Sequence, residues 1–335
     1  MTTPPRIALL VGGGLDACTA PAVAVRLLAA GYEVQVVVTD AARQLLTPAA
    51  FRLAGIEPTD TVPADTPILL CPADEAVARK LETLPSLGRV AGLGQASAVF
   101  PAFARQDALL AARWLSSPRL LADRTILITA GPTAEDIDPV RFLTNRSTGR
   151  MGLALATVAA CLGARVILVH GPLALRCPPM PGLETFPVRG AREMHAAVHG
   201  RVHECDAAIL CAAVADFTPR ETAREKLKKT GLDELTLSLT RTPDILASLG
   251  ALSPRPYLVG FAAETHNLER YAQDKLERKN CDLICANDVA AADSGFAVPT
   301  NRITIFRRNQ PPIPLPLLDK EDAAARILEL VAQAL

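Results

Sequence analysis

The stretch TNRSTGRMG (144–152) packs an amide, hydroxyls, two guanidiniums and two glycines between a strand-like run and the apolar LALATVAACLGA. If a helix starts near Gly149, its first backbone N–H groups have no intrahelical partner and favour an anion. Ser147 and Thr148 would add hydroxyl donors, and Gly149 and Gly152 would let a ligand approach the backbone. The same residues would serve equally as a polar cap between strand and helix. No G-x-x-x-x-G-K-[ST] occurs, so this is not a Walker A loop.

Other groups could carry charge chemistry. In ADFTPRETAREKLKK (215–229), Asp216 ends a strand and Lys226, Lys228 and Lys229 crowd one loop. Such lysines could hold a triphosphate or simply be solvated. Asp244 in TRTPDILASLG fits a helix cap. Lys275 and Lys279 lie one turn apart, ordinarily a surface pair. His195, His199 and His203 recur every four residues, a spacing that can bind zinc or nickel, but Gly200 interrupts and no confirming ligand follows. VGGGLDA (11–17) contains G-x-G-x-x-A, and Asp40 ends the next strand-like run, a weak dinucleotide signal that any βαβ unit can show. Hydrolase and metalloprotease patterns are absent.

Elements that would position these residues follow from periodicity. Residues 6–40 read as strand, glycine turn, helix and strand, one βαβ unit with a right-handed crossover. Residues 124–172 repeat the scheme around the TNRSTGRMG stretch. Downstream come strand-like runs at 207–217, 255–265, 281–288 and 301–306. Helices are expected at 267–279 and at 319–335, the latter capped by Asp319. This alternation predicts an α/β protein with a doubly wound, mostly parallel sheet. Ligands in such sheets bind at strand carboxyl ends, where TAGPT, AAVAD, GFAAET and AND fall. The 335 residues suit two domains, 1–121 and 122–335, with the Ser-Ser-Pro near 116 as boundary.

Composition limits the options. Lys plus Arg equals Asp plus Glu at 35 each and aromatics are scarce, which argues against a general nucleic-acid binder. No run reaches the roughly 18 apolar residues of a membrane span, and no signal-peptide layout opens the chain. A cytoplasmic protein is expected. The eight scattered cysteines contain no C-x-x-C and read as reduced thiols.

Six strings in order resemble the phosphopantothenate–cysteine ligase half of the bacterial bifunctional coenzyme A biosynthesis family. They are ITAGPTAEDIDPVRFLTNRSTGRMG, AAVADFTP…EKLKK, TPDIL, VGFAAET, DKLERKNCDLICANDV and SGF…N, spanning roughly 124 to 310. The resemblance implies a Rossmann-like ligase domain that activates 4′-phosphopantothenate with CTP as an acyl-cytidylate. L-cysteine then displaces CMP. It implies that Asn145 handles the acyl-cytidylate, that Lys226 stabilises charge at the attacked phosphate, and that Arg141 meets the pantothenate substrate. Nucleotide contacts are implied for Gly131, Ser147, Thr148, Gly149, Ala212, Ala213, Asp216, Pro243, Asp244, Ile245, Leu246, Phe261, Lys275 and Lys279. Mg²⁺ would bridge the triphosphate oxygens, no protein ligand to a metal is assigned, and the family dimerises through this domain. Arg150 stands where lysine is common, Thr148 where serine is, and Phe217 where tyrosine is.

The first domain follows the same family's flavodoxin-like decarboxylase only at its start. No histidine precedes His170, residues 1–122 contain no asparagine, and Gly12 replaces a serine usual beside the flavin phosphate. The expectation is a shortened, degenerate flavodoxin-like domain without FMN or decarboxylation. The alternatives are a bifunctional enzyme using unfamiliar residues, or a nucleotide- or flavin-sensing binding protein that lost turnover.

Overall fold

The computed structural model describes residues 3–72, 74–84, 88–94, 100–228, 234–264, 268–288 and 298–335. The chain divides into two compact units, Met1–Arg119 with Pro178–Pro181, and Leu120–Cys177 with Gly182–Leu335.

The first unit holds a five-stranded parallel sheet. Its order is Glu33–Val38, Arg6–Val11, Ile68–Cys71, Val90–Leu93, Ala102–Phe103. That is the 2-1-3-4-5 order of flavodoxin-like folds. The central strands are apolar on both faces, as a sheet covered twice by helices requires, and Ile7–Val11 and Ile68–Leu70 are buried throughout. Helix Ala20–Ala29 buries Ala20, Val23, Ala24 and Leu27, and helix Ala108–Ser116 buries Ala108, Ala111, Ala112 and Leu115. Asp40 does not end a strand: it opens the short helix Asp40–Arg43 and is exposed, so the weak dinucleotide signal has no acidic residue at a strand end.

The second unit is built on an eight-stranded sheet. Its order is Leu183–Pro187, Arg165–His170, Thr125–Ala130, Ala207–Leu210, Tyr257–Glu264, Leu283–Asp288, Ile303–Arg307, Ile313–Pro314. All pairings are parallel up to Leu283–Asp288, and the last two pairings are antiparallel. The doubly wound, mostly parallel α/β architecture expected from the sequence is present. Successive side chains alternate between faces. Leu127, Ile167, Ala208, Leu258 and Ile284 form one core face with Met194, Val198, Leu249, Ala272 and Leu276 of the helices Ala191–His199, Ile245–Gly250 and Leu268–Arg278. The alternate set, Ile126, Ile128, Leu168, Ile209 and Val259, is buried on the other face. There Arg150–Cys161 packs on the sheet and against Lys320–Ala334.

Asp319 sits at the N-cap of that last helix, but its side chain makes no capping bond, contrary to the capping expected of it. All eight cysteines are free thiols. Among the described residues, no helix is long and apolar enough to cross a membrane.

Candidate active-site cleft

The cleft of the second unit is shaped by short polar tethers at the strand ends. Beyond Thr125–Ala130, buried Thr129 and Thr133 accept from Ala212 N (3.1 Å) and Ala215 N (3.0 Å). Ala213 N donates to Gly131 O (2.9 Å). Thr242 donates its hydroxyl to Ala215 O (2.6 Å), and its amide to Asp216 O (3.0 Å). The 211–216 segment after Ala207–Leu210 is therefore held open across the strand ends. The sequence reading missed these three threonines, although the paired threonines of TAGPT were visible.

Gly149 is the N-cap of Arg150–Cys161, with a left-handed φ of 79° and no side-chain cap. A side chain there would be strained by the left-handed conformation, and its Cβ, 2.3 Å from Leu173 Cδ2, would displace that leucine. Ser147 Oγ accepts from Gly149 N (3.3 Å) and does not cap the helix, so the helix keeps its electropositive start. Gly152 has a different reason from ligand approach: a Cβ there would lie 2.4 Å from Ala130 Cβ. The helix sits that close to its strand, a use of glycine known from nucleotide folds.

Asn145 faces the same segment. Its Nδ2 donates to Ala213 O (3.0 Å) and Val214 O (3.3 Å). Both partners are carbonyls, so the NH₂ end of the amide must face them. The amide donor of Asn145 is here engaged with the backbone.

The resulting cavity, about 1690 Å³, is lined by Asn145, Ser147, Gly149, Ala212, Ala213, Asp216, Pro243, Asp244, Ile245, Leu246, Phe261, Lys275 and Lys279, among others. Lys275 and Lys279 are not a solvated pair. Lys275 Nζ donates to Phe261 O (2.7 Å), and Lys279 Nζ is bonded to the Asp244 carboxylate. Asp244 also caps Ile245–Gly250 by accepting from Ala247 N (2.9 Å). Burial works to raise its pKa, but Lys279, the Ala247 amide and the Lys275 charge together bring it below the ordinary value.

Gly131, Thr148, Arg141 and Lys226 do not line this cavity. Arg141 is bound to Asp138, its Nη2 also reaching Leu227 O (2.9 Å), while Leu227 N donates to Asp138 (3.1 Å). Lys226, next in chain to this clamp, is exposed, and Lys229 lies outside the described residues. Arg141 thus ties the lysine loop to the turn at Asp138.

No cluster of three or more His, Cys, Asp or Glu fit for a metal occurs among the described residues. His195 and His199 stack with centroids 4.3 Å apart, and His199 Nε2 lies 2.8 Å from Ser248 Oγ. Burial and the neighbouring histidines lower the His199 pKa.

A parallel sheet with a polar cleft over its strand ends, fed by an uncapped glycine-started helix, defines a nucleotide-fold domain of the Rossmann-like class. Residues 121–335 match the family described as DNA/pantothenate metabolism flavoprotein C-terminal domain, and the chain belongs to that family. It is 49% identical over 214 residues to the coenzyme A biosynthesis bifunctional protein CoaBC of Vibrio parahaemolyticus, covering 63% of this chain and 53% of that protein. The Bacillus subtilis CoaBC is likewise 49% identical over 213 residues, covering 63% and 52%. The chain thus spans about half the length of these curated relatives. A crystal structure of a CoaBC C-terminal domain superposes with a TM-score of 0.55 at 42% identity, covering 64% of this chain and 97% of the other.

Proposed function

We propose that the second unit ligates 4′-phosphopantothenate to L-cysteine at the expense of CTP. The substrate carboxylate attacks the α-phosphate and releases pyrophosphate. The cysteine amine then attacks the acyl carbon, loses a proton and displaces CMP, giving 4′-phosphopantothenoylcysteine. The observation that carries this reading is the convergence of Asn145, Ser147, Asp216, Phe261, Lys275 and Lys279, distant in sequence, on one cleft. A nucleotide would run along the face of the 243–246 segment and the Leu268–Arg278 helix, with the acyl group towards Asn145.

In this reading Asn145 shapes the 213–214 carbonyls and turns its oxygen towards the attacking amine. Lys226 approaches from its tethered loop and balances the charge on the attacked phosphate. Magnesium belongs to the reading only as the counter-ion of the nucleotide's phosphates, because no carboxylate cage is available to it among the described residues. The working unit is a homodimer through this domain, in the cytoplasm.

The first unit has no place in the chemistry. Gly13 N and Gly14 N, the amides that would receive a flavin phosphate after Arg6–Val11, donate instead to Asp74 Oδ2 at 2.6 and 3.0 Å. A Cβ at position 12, where a serine would stand, would lie 2.6 Å from the same carboxylate. The chain supplies its own anion, and a phosphate would meet a negative charge already seated.

The test is direct: purified chain, 4′-phosphopantothenate, L-cysteine and either CTP or ATP. The expected products are the amide and CMP, with little turnover on ATP. Absence of amide with both nucleotides sinks the ligase reading.

A further inference from the structure

Two helices of the second unit begin at the same end of the cleft with a cation each. Arg150 is the first residue of Arg150–Cys161 and Lys320 the first of Lys320–Ala334, and the two helices pack together. Neither N-cap, Gly149 or Asp319, gives its helix a side-chain capping bond. Helix starts are electropositive in their own right, and both cations, Arg150 and Lys320, line the cavity. The acids of the cavity wall stand elsewhere: Asp244, Asp274 and Glu277 belong to the helices of the opposite sheet face, and Asp216 to the 211–216 segment. Asp319, Glu321 and Asp322, at the start of the last helix, are exposed and do not line the cavity.

A second, independent observation lies in the same cavity wall. Asn301 is only 3% exposed. Its Nδ2 rests on Met151 Sδ at 3.4 Å, while Oδ1 is buried with no hydrogen-bond partner. Arg150 Nε is likewise buried without a partner. A buried polar atom left unpaired is costly, so two beside one cavity point to groups satisfied by something that binds there. Lys320 is 6% exposed and already donates to Val298 O and Thr300 O, which fixes its position. Burial, with Arg150 adding to it, lowers its pKa to about 8; an anion in the corner would favour its charged form.

We infer that the corner formed by Arg150, Asn301 and Lys320 is a binding site for an oxyanion of a non-nucleotide substrate, paired with a hydrogen-bond donor that Asn301 accepts. This rests on the ligase reading and deepens it. The assignment to a non-nucleotide substrate follows from the sheet. The segment at 243–246 and Lys275 and Lys279 serve one face, while Arg150–Cys161 and Lys320–Ala334 cover the other. The strand ends and Asn145 lie between. A nucleotide whose base and ribose run along the first face, with its phosphates reaching Ser147 to Gly149, leaves Arg150, Asn301 and Lys320 for the other reactants. Two groups fit the shared chemistry: the α-carboxylate of the amino acid, whose adjacent amine would donate to Asn301 Oδ1, and the phosphate of the acyl substrate.

The experiment uses the full chain and its Arg150→Met and Arg150→Lys variants, with initial rates measured against each of the three substrates in turn. Arg150→Met is expected to raise KM for one acid substrate by about 10- to 100-fold, the size of a lost charge-assisted hydrogen bond. KM for the nucleotide should stay within about twofold. Arg150→Lys should recover most of the loss, which a packing role for the guanidinium would not produce. A rise confined to L-cysteine assigns the carboxylate, and one confined to 4′-phosphopantothenate assigns the phosphate. Unchanged KM values, or a rise for the nucleotide alone, overturn the proposal. If the unsubstituted chain makes no amide, the ligase reading has failed separately. Calorimetric titration with L-cysteine and with 4′-phosphopantothenate then decides the corner. Binding that weakens in Arg150→Met supports it, and no binding, or equal binding in both proteins, overturns it.

Discussion

The buried Asp138 carboxylate grips the Arg141 guanidinium through Nε (3.0 Å) and Nη2 (2.5 Å) while accepting the amide of Leu227 (3.1 Å). One aspartate thereby joins the turn before TNRSTGRMG to the loop that carries Lys226. The hydrogen bonds from Arg141 hold its carboxyl well below the usual range. They outweigh burial, which pushes the other way, and the amides of Val140, Leu227 and Arg141 help. A depressed folded-state pKa means the contribution is fully present above the unfolded value, about 4, and is lost as pH falls through the lower folded one. Replacing Asp138 by Asn should therefore loosen the lysine loop at neutral pH, where the unsubstituted chain loosens only in strong acid. Hydrogen exchange at Leu227 is the measurement. Its protection should drop by about tenfold or more, and unchanged protection would show that the clamp does not order the loop.

The Lys279–Asp244 pair invites a different substitution on each side. Asp244→Ala removes a helix cap and should cost about 1 kcal/mol in denaturant unfolding. Lys279→Met keeps the cap but removes the cation facing the cleft, so KM for the nucleotide should rise by about tenfold with little change in melting temperature. A lysine that served only to restrain Asp244 would leave that KM where it was.

Much of this arrangement was legible in the sequence, because the strongest signals were local. Strand-like runs bounded by glycine, such as RIALLV and TILITAG, are set by short-range pattern, and they appear as Arg6–Val11 and Thr125–Ala130. Asp244 caps as its place after Pro243 suggested. What stayed hidden depends on residues far apart in the chain. Arg141 is directed by Asp138 and Leu227, the latter 86 positions away. Lys279 is drawn from the surface by Asp244, 35 positions before it. The Asp74 carboxylate lies 61 positions from Gly13. Pattern reading assigns a charged residue to solvent or ligand unless a partner is in view, and here the partners come from other loops.

Asp74 gives the first unit its own test. The purified chain should carry no flavin absorbance in the visible range. Asp74→Ala should free the Gly13 and Gly14 amides while losing the cap of Glu75–Glu82, where Asp74 Oδ1 accepts from Val77 N (3.0 Å). That lost cap should cost about 1 kcal/mol. Stoichiometric FMN in the unsubstituted protein would contradict the reading that the carboxylate has taken the phosphate's place.

Lys226 separates a ligase from a binding protein that kept the fold. It is exposed, so Lys226→Ala should leave stability within about 0.5 kcal/mol. Its neighbour Leu227 is clamped by Asp138 and Arg141, so the backbone that presents the lysine stays in place. If Lys226 balances the charge on the attacked phosphate, kcat should fall by about 10²- to 10³-fold, as for loss of a single charge-stabilising donor, with the binding affinity for CTP little changed. The effect should be confined to CMP and pyrophosphate release. Asp138→Asn, which acts through the loop, should lower kcat less than Lys226→Ala does. Full turnover in Lys226→Ala would remove the lysine from the chemistry and leave Asn145, Lys275 and Lys279 to account for it.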